Sequence, residues 1–270
     1  MTTEQVLVEV TGDLATVTLN RPDRRNSLSE SMLRDIGAAT ARAAEAPGVR
    51  AVILAAAGPV FSAGHDFSDM IERDLDGMRR LLTVCTDVML GLARLPVPVV
   101  ACVQGIATAA GCQLVASCDL AVAVEEASFA TPGGKGGWFC HTPLVAVARA
   151  IGARRALELG MTGDPIDART ALAWGLVNRV VPRAELVAET HKLARAASRG
   201  SLASKASGKR TFYRQVELDV EAAYAEAVEV MAHSATTADG RESMRAFLEK
   251  RPGVYPALAA PAARVAPAAR

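Results

Sequence analysis

The longest apolar stretch of the chain runs from Val99 to Val124, and its period changes along the way. Val99 to Val103 reads as a short strand, and Gln104-Gly105 breaks it. Ile106 to Ala110 reads as a loop of small residues. A helix is predicted from near Gly111, carrying Cys112, Gln113, Leu114, Val115 and Ala116. Asp119 ends it, and Leu120 to Val124 is predicted as the next buried strand. A helix entered straight from tiny residues presents unpaired main-chain N–H groups to whatever lies in the loop. Small side chains let a ligand reach that backbone, which is one way to hold a developing oxyanion. A βαβ unit that only packs carries the same pattern.

On either side the pattern is that of an α/β chain. Val6 to Val10 and Leu14 to Leu19 alternate about Thr11-Gly12-Asp13, a hairpin. Ser29 is an N-cap for a helix to about Glu45, closed by Pro47-Gly48. Ala51 to Ala57 is a buried strand, Ile71 to Arg94 a helix, and Ser128-Phe129-Ala130 a strand. Leu144 to Ala150 and Ala153 to Leu159 are helical, Asp167 is an N-cap and Gly175 a left-handed C-cap. Helices follow over Glu185–Arg199, Ser201–Glu217, Asp219–Ser234 and Gly240–Lys250. The expected organisation is a core over 1–200, a helical region over 201–256, and a disordered Ala/Pro tail over 257–270.

Composition narrows the class. Half of the 270 residues are hydrophobic and the formal net charge is +1, so no charge excess points to nucleic acid or a membrane surface. Eleven aromatic residues and no basic stripe also argue against nucleic-acid stacking. Leu95 to Cys118 holds no charge, but Pro96, Pro98, Gln104, Gly105, Gly111 and Gln113 interrupt it, so it is read as core rather than as a membrane span. Five cysteines (Cys85, Cys102, Cys112, Cys118, Cys140) without a C-x-x-C are read as reduced core residues, with no zinc site. The polar opening Thr2-Thr3-Glu4-Gln5 resembles neither a signal nor a transit peptide, and a cytoplasmic location is expected. The Gly-rich run Gly133-Gly134-Lys135-Gly136-Gly137 lacks the phosphate-loop spacing.

Two segments carry a family resemblance: Phe61-Ser62-Ala63-Gly64-His65-Asp66-Phe67, and Gly105 through Gly111-Cys112-Gln113-Leu114 to Cys118-Asp119. In this order and spacing they resemble the enoyl-CoA hydratase/isomerase family, the crotonases, over about Val6 to Arg251. Thr162 to Pro182, with Gly175-Leu176-Val177-Asn178, matches a further family stretch that is scaffold. Ala107 to Asp119 and Ser128 to Gly133 are similar to the domain-containing-protein-3 branch of the enoyl-CoA hydratases. The resemblance implies a crotonase (ClpP-like) fold, with repeated ββα units in two roughly perpendicular sheets. It also implies a C-terminal helical trimerisation region and a homotrimer or hexamer.

The resemblance further implies an acyl-CoA ligand, with coenzyme A part of the substrate and no metal or redox cofactor. The thioester oxygen would lie between the main-chain N–H groups of His65 and Ala110. The His65 imidazole is read as packing or solvent-facing rather than catalytic. Arg24 and Arg25 fall in the loop that lies against the adenine and phosphate end of coenzyme A, while a solvated basic turn is the plainer reading. Ser62, Ala63, Gly64, Asp66, Gln113 and Gly133 are the other expected substrate-binding positions.

Departures from the pattern bear on the reaction. Gln113 and Gly133 stand where hydratases carry their two carboxylates, and neither can transfer a proton. Classical hydration is therefore not expected. His141, eight residues beyond Gly133, matches a position that carries an aspartate in some relatives, and it is the candidate acid/base. Cys140 and Lys135 are weaker candidates. Two functions remain open: non-hydratase chemistry on an acyl-CoA (isomerisation, thioester hydrolysis or C–C cleavage), or binding of an acyl-CoA without chemistry.

Overall fold

The computed structural model describes residues 4–255, so the expected Ala/Pro tail lies outside the described residues. Three successive segments repeat one plan of long strand, short strand and helix. They are β3 (Ala51–Ala56), β4 (Val60–Ser62) and α2 (Leu75–Arg94); β5 (Val99–Val103), β6 (Ile106–Thr108) and α3 (Ala110–Ala116); and β7 (Leu120–Val124), β8 (Ser128–Ala130) and α4 (His141–Ile151). Before them come β1 (Val6–Thr11), β2 (Leu14–Leu19) and α1 (Glu30–Glu45). After them come α5 (Ala153–Thr162), β9 (Ile166–Asp167), α6 (Ala168–Trp174), β10 (Arg179–Val181) and α7 (Leu186–Ala197).

The long strands share one sheet of order β1-β2-β3-β5-β7-β10, and the short strands share another of order β4-β6-β8-β9. Within the repeat every pairing is parallel: β3 with β5, β5 with β7, β4 with β6, and β6 with β8. Parallel strands need cover on both faces, which is why β3, β5 and β7 are nearly continuous apolar runs. Val52, Leu54, Val99, Val100, Val103 and Val122 to Val124 are fully buried there. Because β4, β6 and β8 run the same way, the loops leaving their C-terminal ends emerge along one edge of the second sheet.

Three local expectations need correction. Ile106 to Ala110 is not all loop: Ile106–Thr108 forms β6, because β4 and β8 offer it hydrogen-bonding partners on both sides. The helix expected from Ile71 begins at Leu75, where the Asp74 side chain accepts the Gly77 N–H at 2.7 Å. The helix expected from Leu144 begins earlier, at His141. Ser29 caps α1 as expected, accepting the Met32 N–H at 3.2 Å, and Asp167 caps α6 through Thr170 at 2.7 Å. The uncharged stretch Leu95 to Cys118 folds as β5, β6 and α3, and among the described residues no helix is long and apolar enough to cross a membrane.

The chain divides into two compact units between Ser198 and Arg199. The second holds α8 (Leu202–Gln215), α9 (Val220–Thr236) and α10 (Ala238–Leu248), with α9 against both α8 and α10. Tyr224, Val228 and Met231 on α9 and Phe247 and Leu248 on α10 are exposed.

Candidate active site

The site is built from the loop that follows β4, held by the loop that precedes α1. Asn26 is fully buried with a left-handed backbone (φ 50°), a conformation that Asn tolerates better than most residues. Its Nδ2 donates to the carbonyls of Ala57 and Val60, each at 2.8 Å, and its Oδ1 accepts the Arg21 N–H at 2.9 Å. Ser62 Oγ donates to the Asn26 carbonyl at 2.8 Å and accepts the Gly64 N–H at 3.3 Å. The Ala63 N–H donates to Arg25, the Leu28 N–H to Gly64, and the Asp66 N–H to Leu28. The main chain on both sides of His65 is thereby fixed. Among the described residues the His65 N–H itself has no protein acceptor.

The second donor comes from the next repeat. Ala109, between β6 and α3, has φ 49° and ψ −119°, a strained backbone for a residue with a β-carbon. Its N–H is taken by the Ala130 carbonyl at 2.8 Å. Ala110, the first residue of α3, has no protein acceptor for its N–H among the described residues. Two glycines let the repeats meet. A β-carbon on Gly64 would lie 2.9 Å from the Ala109 β-carbon and 3.3 Å from the Ala110 nitrogen. One on Gly111 would lie 2.4 Å from the Ser62 carbonyl oxygen. Thr108 Oγ1 completes the clamp by donating to the Ala63 carbonyl at 3.0 Å. Two neighbouring unpaired donors on a fixed backbone can receive one developing oxyanion.

Around this pair the side chains sort by what they touch. His65 is buried; its Nδ1 lies 3.3 Å from the Leu28 carbonyl and its Nε2 has no partner. Burial pushes its pKa down, with the Leu28 carbonyl and the Asp69 charge opposing. The Trp138 ring lies 6.2 Å from the His65 ring, and Phe67 meets Trp138 edge-on. Gln113 is buried on α3, with Cys85 Sγ 3.9 Å from its Oε1. At Gly133 a β-carbon would fall 2.1 Å from the Trp138 carbonyl oxygen, so this backbone has no room for any side chain there. All five cysteines are free and buried. Burial pushes Cys85 and Cys112 up to about 12, and it also raises Cys140, against the Gly133 main chain. These thiols are protonated near neutral pH and are poor nucleophiles.

Ser62 is fully buried, and both of its hydroxyl contacts are to main chain, so it braces the loop. Asp66 is engaged by Ser68 Oγ at 2.6 Å and by Arg21 at 3.3 Å. Burial alone would raise its pKa, but the Ser68 and Ser27 hydroxyls, the Ser68 N–H and Arg21 hold it below the usual carboxylate range. It too is a brace. His141 is exposed at the start of α4, and its ring leans on Phe139 at 5.1 Å. Its neighbour Cys140 is the residue that reaches Gly133, and among the described residues no hydrogen bond or ring contact joins the His141 side chain to His65, Ala110 or Gln113. Lys135 is ion-paired with Asp164. Arg24 and Arg25 are exposed, and among the described residues neither guanidinium has an ion pair.

Sequence reasoning missed Asn26 and Thr131. A lone Asn before a helix cap is compatible with a left-handed turn, but its three hydrogen bonds come from segments remote in sequence. Thr131, directly after β8, is fully buried with its hydroxyl unpaired, and nothing in its local sequence marks it.

Parallel short strands whose exit loops carry paired free N–H groups define a crotonase-fold site. The family model for enoyl-CoA hydratase/isomerase matches residues 9–257, and the chain belongs to that family. It is 43% identical over 240 residues to "Enoyl-CoA hydratase domain-containing protein 3, mitochondrial" of Mus musculus, covering 88% of this chain and 80% of the relative. A crystal structure of an enoyl-CoA hydratase from Mycobacterium smegmatis superimposes with a TM-score of 0.89 at 46% identity, covering 93% of this chain and 98% of that one. The human enoyl-CoA hydratase domain-containing protein 3 also superimposes at 0.89, with 42% identity, covering 93% of this chain and all of that one.

The expected cytoplasmic location is overturned. The mouse, rat and human relatives, each 43% identical to this chain, are named mitochondrial. That expectation rested on the polar opening residues and on reduced cysteines, and neither where a sequence starts nor free thiols determine where a protein resides.

Proposed function

We propose that this chain binds an acyl-CoA thioester with its carbonyl oxygen between the N–H groups of His65 and Ala110, and that its chemistry is not hydration of an enoyl-CoA. The observation that carries the reading is the pair of unpartnered donors, held together by the contact of Gly64 with Ala109 and Ala110. The unpaired Arg24 and Arg25 support recognition of the phosphate end of coenzyme A by charge-assisted hydrogen bonds. Syn addition of water needs a titrating group for each proton moved. Gln113 does not titrate, and Gly133 has no side chain and no space for one. That same lack favours, as second reading, a binder that performs no chemistry.

The exposed apolar side chains of α9 and α10 support self-association, as a trimer or a dimer of trimers. Light scattering on the purified chain reads the mass directly, and a monomer at micromolar concentration rules this out. The functional test pairs calorimetry with mass spectrometry on a panel of saturated and unsaturated acyl-CoAs. Binding with a new product supports chemistry, and binding without change supports the second reading. No binding to any thioester defeats both.

A further inference from the structure

One buried side chain belongs to the donor pair's own residue and keeps a polar atom unsatisfied. His65 is about nine-tenths buried, and among the described residues its Nε2 has no hydrogen-bond partner, which is costly for a polar atom out of water. Its other nitrogen, Nδ1, lies 3.3 Å from the Leu28 carbonyl. A carbonyl only accepts, so the proton of the neutral ring sits on Nδ1 and the Nε2 lone pair is free. The main-chain N–H of the same residue is half of the donor pair, so the lone pair belongs to the site itself, and because Nε2 is sealed from solvent in the unliganded fold, the ring or its neighbours must shift for a ligand to reach it.

The surroundings are consistent with a working group. Thr131 Oγ1 is a second buried atom without a partner. His65 follows β4, Ala110 follows β6 and Thr131 follows β8, so these groups share one edge of the short-strand sheet, with Ala110 between the other two. Trp138 is the aromatic neighbour of the His65 ring, and Phe67 meets Trp138 edge-on. Asp69 is the charged group whose field reaches the ring, and it favours the protonated form.

We propose that His65 Nε2 is the proton acceptor for the α-carbon of the bound acyl thioester. This rests on the acyl-thioester reading of the site. The α C–H bond breaks and its electron pair forms the C=C bond of an enolate. The carbonyl π pair moves onto oxygen, where the His65 and Ala110 N–H groups receive it. The proton goes to Nε2, giving an imidazolium held at Nδ1 by Leu28 and favoured by Asp69. Reversal returns a proton to the α-carbon, and no other reactant is needed. One residue then supplies both the base and an oxyanion donor, which accounts for a site with no carboxylate at Gln113 or Gly133.

The test is hydrogen exchange of butyryl-CoA in D2O at a concentration that calorimetry shows to be saturating. The wild-type chain is expected to raise the mass of recovered butyryl-CoA by one unit, because a base on one face of the enolate removes and returns only one of the two α-hydrogens, with Nε2 trading its proton for a solvent deuteron in between. His65→Gln, which can still donate to Leu28, is expected to slow this by about 100-fold or more. His65→Ala is expected to regain exchange when free imidazole is added, with circular dichroism confirming that both variants fold. The wild-type rate is expected to rise with pH and level off, with its midpoint below the ordinary histidine value of 6.5. A saturated wild-type protein that does not exchange overturns the proposal. So does exchange that survives His65→Gln or is abolished by His141→Ala alone. Absence of calorimetric binding is a different result, defeating the thioester reading itself.

Discussion

The main-chain nitrogen of Ala110 lies 3.3 Å from the place a β-carbon on Gly64 would occupy, so the two N–H donors are neighbours only because residue 64 is glycine. Gly64 also has φ +88°, where a side chain is strained whatever space is free. Gly64→Ala is expected to cost about 2–4 kcal/mol of stability, from backbone strain and from overpacking against Ala109. It is also expected to abolish detectable thioester binding. Urea denaturation and calorimetry check the two parts, and a variant that binds as tightly as the parent refutes the donor-pair geometry.

Ala109 makes the opposite case. Its φ of 49° with ψ of −119° suits glycine, and alanine there carries strain that the fold overcomes. Ala109→Gly is expected to stabilise the protein by about 1 kcal/mol, because the strain relieved exceeds the added entropy of the unfolded chain. A lowered urea midpoint for this variant contradicts that account.

Asn26 ties three segments together through one side chain. Asn26→Ala removes its hydrogen bonds to Arg21, Ala57 and Val60 and leaves two carbonyls and an N–H without that partner. The expected loss is about 3 kcal/mol, since buried groups are left unsatisfied. Proteolysis at the loop around His65 is expected to speed up in parallel. Unchanged stability shows that other groups replace these bonds.

The buried His65 gives the fold a pH signature. Its folded pKa is lowered from 6.5, chiefly by burial, so the unfolded chain binds the proton more readily. The stability it contributes is therefore fully present above pH 6.5 and is lost as pH falls from there through the folded value. Urea midpoints measured from pH 8 to pH 5 are expected to decline over that window, and less steeply in His65→Gln. Identical slopes in the two proteins exclude His65 as the cause.

The C-terminal unit has a tie of its own. Arg251 Nη1 lies 2.6 Å from Glu242, whose carboxylate also accepts the Val254 N–H at 3.0 Å. Arg251 and then Val254 hold Glu242 at about 2, so this exposed contact persists from neutral pH until acid approaches that value. Glu242→Gln is expected to loosen Val254 and its neighbours, read as faster amide exchange there, with little change in global unfolding. Unchanged exchange shows that the segment is held by something else.

Much of the fold was legible because it rests on local chemistry. Periodicity marked the buried strands Val99–Val103 and Leu120–Val124. Capping residues marked the starts at Ser29 and Asp167, and two short segments carried the family pattern. Where β6 would form was not legible, since Ile106–Thr108 becomes a strand only when β4 and β8 flank it. The working side chains were harder still. The position of His141 matched a family pattern, yet its side chain is exposed. His65 was read as packing, yet it holds a buried lone pair with no partner. Ser62 and Asp66, expected at the ligand, have side chains engaged by neighbouring protein groups.

By itself the sequence determined the buried strands Val99–Val103 and Leu120–Val124, the helix caps at Ser29 and Asp167, and the lack of a titrating side chain at Gln113 and Gly133. These follow from residue type and spacing along the chain. Tertiary structure decided which of those groups meet, which are satisfied by protein, and which are left without a partner. Burial and hydrogen bonding depend on segments tens of residues apart, as Asn26 with Val60 and Gly64 with Ala110 show.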